Sequence, residues 1–332
     1  MSCPGSDMRR REFIKLLGGA TAAWPLTARA QQPKLPVVGS LNGGSPDGYA
    51  PYATGFLHGL NETGYVEGKN VTVDYQWARG QYDRLRVMAA DLIRRKVAVI
   101  AANTPAAPVA KAATTEIPIV FVSTGDPVMV GLVTSFNRPG GNITGVGLLG
   151  LELEGKRLGL LHQFLPGTTP IGVLVNPANP AADLQLRELQ RTAGVIKRQI
   201  DIVRAGTALD IERAFAIAAQ QGAGALLVVQ DPFYNSQRKQ LVALAARHKL
   251  PVMYPLREFA EIGGLISYGH DLVDGYRQMG VYAGRVLKGA KPADLPVVQP
   301  TTFEFVINLK TAKALGLTIP QSLIATADEI IE

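Results

Sequence analysis

Short runs of apolar, often β-branched residues alternate with longer stretches of helical period along most of the chain. LPVVGSL (35–41), NVTVDYQWA (70–78), VAVIAA (97–102) and IPIVFVS (117–123) read as strands. Between them, residues 49–64, 82–96 and 108–116 repeat apolar positions three and four apart, the mark of helices with one buried face. Most of these strands are too continuously apolar to leave a face in water. Strands of that kind, joined by helices, predict a parallel sheet covered on both sides. The pattern then restarts. Strands are expected at 170–176, 225–230, 250–255 and 302–309, and helices at 181–196, 208–222, 235–249, 275–289 and 310–317, with GGLISYG at 263–269 between the last two strands. The chain is therefore expected to be α/β, with two doubly wound parallel-sheet lobes in succession.

The residues that follow the strands carry the first chemical signal. Ser45-Pro46, Thr104-Pro105, Asp126-Pro127, Asn179-Pro180 and Asp231-Pro232 each sit just past an apolar run. A short polar residue before proline is a helix N-cap followed by the first helical position. Any one doublet reads as a cap and nothing more. Five at the same topological place put polar groups and free N–H donors along the carboxyl edge, where open α/β sheets bind ligands and where anions are favoured. Tyr49, Tyr52, Phe233, Tyr234, Tyr254 and Tyr268 are the aromatic candidates for a cleft between two such edges, each with core packing as its alternative. Phe233 and Tyr234 are adjacent, so in an extended loop one ring faces the core and the other the cleft.

The front of the chain changes the setting. MRRREFIKLLGG begins at Met8, a short apolar run follows to Leu26, and ARA occupies 28–30. Charged start, short apolar centre and small-x-small ending make an export signal over 1–30, removed near Ala30. The order Arg10-Arg11-Glu12-Phe13-Ile14-Lys15 resembles a twin-arginine signal. The segment carries five of the 34 Lys and Arg and two of the 27 Asp and Glu, which leaves 29 against 25 and a net charge of +4. That balance is no nucleic-acid footprint. Cys3, the one cysteine of the sequence, leaves with the signal, so thiolate chemistry and disulfides are not expected.

Thirteen stretches in order, among them GYVEGKNV, QYDRLRVMAADLIRRKVAVI, NRPGGNITGV, VNPANP, GALLVVQDPF, LVALAARHKLPVMY and INLKTAKALGLTIPQSLIATADEII, give a resemblance over essentially the whole chain. It resembles the substrate-binding proteins of ABC transporters, in the family that includes tryptophan/phenylalanine-binding members. The resemblance implies two lobes of the type I periplasmic-binding-protein fold, crossing hinge segments, and a small ligand clamped between the lobes. Glycine-rich or proline-flanked composition places the crossings near 145–150, 263–267 and 298–303. Lobe 1 is then 36–147 plus 264–298, and lobe 2 is 148–263 plus 299–326.

The loops matching the family's ligand loops are 42–46, 102–105, 123–127, 176–180 and 230–234, which the capping argument also selects. From these loops and the cleft aromatics, the expected ligand-binding residues are Asn42, Ser45, Asn103, Thr104, Thr124, Asp126, Asn176, Asn179, Asp231, Phe233, Tyr234, Tyr254 and Tyr268. Asp126 or Asp231 is the expected acceptor for a ligand amine. The resemblance implies a monomeric periplasmic receptor. It would deliver an amino acid or similar carboxylate, possibly aromatic, to an ABC permease in the inner membrane, without a nucleic-acid partner. A sensor for a membrane kinase or chemoreceptor is the alternative. An enzyme is disfavoured: the histidines show no i, i+4 metal pair, and no G-x-S-x-G elbow is present. No metal or cofactor is expected. Gly145-Val-Gly147-Leu-Leu-Gly150 fits a dinucleotide-loop pattern, but no acidic strand end follows at the required distance, and it reads as a crossover between lobes.

Overall fold

The computed structural model describes Met1 and residues 35–332, apart from 149, 166 and 168. The expected export signal lies outside the described residues. Among the described residues, no helix is long and apolar enough to cross a membrane.

Lobe 1 is built on a five-stranded, wholly parallel sheet in the order β2-β1-β3-β4-β5, formed by β1 (Val37–Asn42), β2 (Thr72–Trp77), β3 (Val99–Asn103), β4 (Ile119–Ser123) and β5 (Ile143–Gly147). Helices α1 (Pro46–Glu62), α2 (Leu85–Arg94) and α3 (Ala106–Ala113) connect the first four strands. β3, β4 and β5 are buried at every position, as a sheet covered on both faces requires.

Lobe 2 opens with α4 (Gly150–Phe164) and β6 (Ile171–Val175), followed by α5 (Ala182–Val195), β7 (Ile200–Arg204), α6 (Ala208–Gln220) and β8 (Ala225–Val228). Next come α7 (Pro232–Ser236), α8 (Arg238–His248), β9 (Val252–Tyr254), α9 (Arg257–Glu261) and β10 (Ile266–His270). The chain then returns to lobe 1 as α10 (Leu272–Leu287). It ends in lobe 2 with β11 (Phe303–Asn308), α11 (Leu309–Ala314), α12 (Gln321–Ile324) and β12 (Glu329–Ile331). The second sheet runs β12-β11-β10-β9-β8-β6-β7. All its pairs are parallel except β10 with β11, where Ser267 faces Val306. The exception follows from the excursion: β10 leaves at the hinge edge, so β11 enters from that edge and runs backwards.

This topology corrects one expected boundary. β10 is hydrogen-bonded between β9 and β11, so residues 264–271 belong to lobe 2 and the middle crossing falls at 270–272, not at 263–267. β12 likewise extends lobe 2 to 331. β5 of lobe 1 ends at Gly147 and α4 of lobe 2 begins at Gly150, while the amide and carbonyl of Val298 still bond Gly145 and Gly147 of β5. The 145–150 glycine pattern is thus the end of a lobe 1 strand running into a crossing.

α10 packs along α1 and against β3, β4 and β5. The seam is made of glycines. A Cβ on Gly59 would sit 1.8 Å from the carbonyl oxygen of Arg277, and one on Gly280 would sit 2.1 Å from that of Phe56. Backbones in contact at that distance tolerate no side chain.

Candidate functional site

The carboxyl edges of the two sheets meet, closed down on a small cavity of about 10 Å³. Lobe 1 contributes Asn103, Thr104, Val122, Thr124, Tyr49 from the first turn of α1, and Leu272 and Tyr276 from α10. Lobe 2 contributes Gln230, Pro232 and Asn235. No side chain of this wall carries a formal charge. Its chemistry is amide, hydroxyl and aromatic.

The lobe 1 wall is held from behind by Asn42. Its Oδ1 accepts from the amides of Gly44 (2.7 Å) and Asn103 Nδ2 (3.0 Å), and its Nδ2 donates to the Tyr276 hydroxyl (3.0 Å). Tyr276 in turn stacks on Tyr52, with centroids 5.6 Å apart. Thr104 is one of the doublets whose side chain makes no helix cap. Its hydroxyl donates to Ser123 Oγ at 3.0 Å instead, beside the cavity.

Asp231 lies behind the lobe 2 wall, fully buried. Its Oδ1 accepts from the Phe233 amide (2.8 Å), from Asn176 Nδ2 (3.2 Å) and from the hydroxyl of Tyr82 (2.8 Å); its Oδ2 accepts from Asn179 Nδ2 (2.6 Å). Burial pushes its carboxyl above the ordinary range, while the Asn176, Tyr82, Asn179 and Phe233 donors pull the other way. The Phe233 bond is the expected N-cap of α7. The Tyr82 bond is a different matter, because Tyr82 belongs to lobe 1. It sits in a single 3₁₀ turn (Tyr82–Arg84) ahead of α2 and also accepts from the Phe233 amide at 3.2 Å. Three further bonds join the lobes here: the Ser45 amide to Ser236 Oγ (3.0 Å), Arg238 to the Gly48 carbonyl (2.8 Å), and Asn235 Nδ2 to the Tyr49 hydroxyl (3.3 Å). Each is made directly between the lobes along one side of the cavity.

The thirteen expected residues therefore divide. Asn103, Thr104 and Thr124 reach the cavity wall; Asn42, Asn176, Asn179 and Asp231 support it; Ser45 caps α1 at the interlobe contact. Phe233 packs on Gly80 of lobe 1, where a Cβ would lie 2.6 Å from its ring, and so belongs to the interlobe contact rather than the cavity. Asp126, Tyr234, Tyr254 and Tyr268 do not come to the cavity. Asp126 is half-buried and caps the turn after β4 through the amides of Val128 and Met129. Because 232–236 is helical rather than extended, Tyr234 turns into the core and donates to the Ala205 carbonyl at 2.8 Å. Tyr254 stacks on Phe259 at 4.7 Å in the core, and Tyr268 lies with Phe303 and Phe305 away from the cleft. Gln230, Asn235, Tyr276 and Tyr82 escaped the sequence reading. Gln230 hides as the last letter of an apolar run, and Tyr276 arrives from a helix 234 residues beyond its partner Asn42.

Residues 45–331 match the family model described as ABC transporter substrate binding protein. The chain belongs to this family. It is 30% identical over 269 residues to a tyrosine-binding protein of Clostridioides difficile strain R20291, covering 79% of this chain and 76% of that protein. Among solved structures it resembles a conserved domain protein of Vibrio cholerae (TM-score 0.82, 28% identity, 90% of this chain and 100% of that one). It is also similar to an ABC domain protein from Streptococcus pneumoniae in complex with L-Trp (TM-score 0.79, 27% identity, again 90% and 100%). Two α/β lobes meeting across a cleft are thus the shared architecture of this substrate-binding family.

Proposed function

We propose that the chain is the receptor of an ABC importer, working outside the inner membrane, and that it closes its lobes over an amino acid with an aromatic side chain. The observation that carries this reading is the cavity itself, which both lobes line at their carboxyl edges with amides, hydroxyls and tyrosine rings. The ligands named for the two relatives, tyrosine and L-Trp, support the choice of cargo. The twin-arginine-like start supports export, with removal of 1–30 and delivery to a membrane permease. Cell fractionation checks that part, and a full-length product retained in the cytoplasm would count against it.

Thermal unfolding of residues 31–332 against amino acids, organic acids, sugars and nucleosides tests the cargo. A ligand at a hundred times its dissociation constant adds about 2.7 kcal/mol to the folded state, a clear upward shift. Stabilisation by sugars or nucleosides with no response to any amino acid would sink the reading.

Closure should depend on Tyr82. Tyr82→Phe keeps the ring but removes the hydroxyl that bridges to Asp231. A hydrogen bond to a charged acceptor contributes about 1.5–3 kcal/mol, so L-tyrosine or L-tryptophan is expected to bind at least about tenfold more weakly. Calorimetric titration reads this directly. Equal affinity in the Phe variant would show that the bridge adds nothing to closure.

A further inference from the structure

Two side chains of the lobe 2 wall hold polar atoms that the protein does not use. Gln230 is 3% exposed, lines the cavity, and neither Oε1 nor Nε2 has a hydrogen-bond partner among the described residues. Its backbone, by contrast, is clamped on both sides. The amide donates to Glu154 Oε1 at 3.0 Å, and the carbonyl accepts from Gln185 Nε2 at 2.9 Å. Asn235 is 2% exposed; its Nδ2 donates to Tyr49, and its Oδ1 has no partner among the described residues. The two amide ends of an asparagine are assigned from their partners, but either orientation uses one atom on Tyr49 and leaves the other free. A buried polar atom without a partner destabilises the fold. Two such groups on one wall of one cavity, on a backbone fixed from behind, are placed for something that enters the cavity.

We infer that Gln230 and Asn235 determine specificity by accepting hydrogen bonds from the ligand's amine, a role that rests on reading the cleft as an amino-acid site. Asp231, the expected acceptor, is not on the cavity wall and spends its oxygens on Tyr82, Phe233, Asn176 and Asn179. It acts as the acidic group behind the wall, while the neutral amides in front make the contact. The ligand class is therefore one whose polar end carries hydrogen-bond donors, an α-amino acid rather than the corresponding aryl acid.

Gln230→Met tests this, because methionine has similar length and no hydrogen-bonding amide. Two probes are titrated into parent and variant: L-tyrosine, and 3-(4-hydroxyphenyl)propanoate, which is the same molecule without its amine. The variant is expected to unfold at the same temperature as the ligand-free parent or higher, since an idle buried amide has been removed. Its affinity for L-tyrosine should fall at least about tenfold, and its affinity for the amine-free probe should change by less than about threefold. Asn235→Leu should repeat the pattern. A lowered unfolding temperature in Gln230→Met would assign the amide a structural bond and overturn the inference. Equal losses for both probes would overturn the amine assignment alone. Failure of the parent to bind either probe would overturn the amino-acid reading and the assignment together.

Discussion

Arg157→Met is expected to lower the midpoint of thermal unfolding by about 6–20 °C, at about 2–4 °C per kcal/mol for a structure of this order of size. Arg157 and Glu154 lie on one face of α4 and are fully buried, with Nη1 2.9 Å from Oε2. Arg157 Nε also donates to the Tyr268 carbonyl of β10 at 2.7 Å. Removing one partner of a buried pair strands the other charge, a loss of about 3–5 kcal/mol. The stranded group here is the carboxylate that holds the Gln230 amide, so the cleft wall should loosen as well. Glu154→Gln combined with Arg157→Met keeps an acceptor for that amide without a buried charge. The double variant should recover most of the lost stability. Should it unfold below Arg157→Met alone, stranded charge is not the cause.

The second large effect is expected at the glycine seam. Gly280→Ala should destabilise lobe 1 by about 3 kcal/mol or more, at the upper end of overpacking costs, because the added carbon meets the Phe56 carbonyl and cannot be relieved by a rotamer change. Helix propensity alone predicts the opposite sign, a gain of up to about 1 kcal/mol. Gly159→Ala supplies the contrast. Gly159 lies in the interior of α4 with nothing within 4 Å of its added carbon, so that variant should be stabilised by about 0.4–1 kcal/mol. Equal shifts in the two variants, by calorimetry or denaturant titration, would remove the seam as the explanation.

The strands that were legible are those buried on both faces. β3, β4 and β6 are apolar but for Asn103 and Ser123 at the carboxyl ends of the first two, the pattern of strands buried on both faces. β7 sits at a sheet edge with only Val203 fully buried, and β5 carries two glycines, so neither shows the pattern of a buried strand. The middle crossing was misplaced because β10 follows a glycine pair, the usual look of a new beginning; only its pairing with β9 and β11 assigns it. For the site, the doublets marked the right edge of the right sheets. What they did not carry is where each side chain turns. Asp231 reads the same whether it waits for a ligand or for a tyrosine hydroxyl 149 residues away. Tyr234 depended on a five-residue helix that turned it inward.

The middle crossing also fixes an order of events during synthesis. Lobe 1 begins with the first described strand, yet the helix that covers one side of its sheet is α10, near the far end of the chain. Tyr52, Phe56 and Leu60 of α1 are buried in the finished protein partly by that late helix. A growing chain that has passed residue 147 therefore holds a sheet with one flank open while all of lobe 2 up to β10 is still being made. Contacts spanning such separations form slowly, and apolar surface exposed meanwhile invites association with other chains. Lobe 2 has no such debt until β11, so the lobe that is translated second is positioned to settle first, and the lobe that is begun first closes only when α10 returns to it.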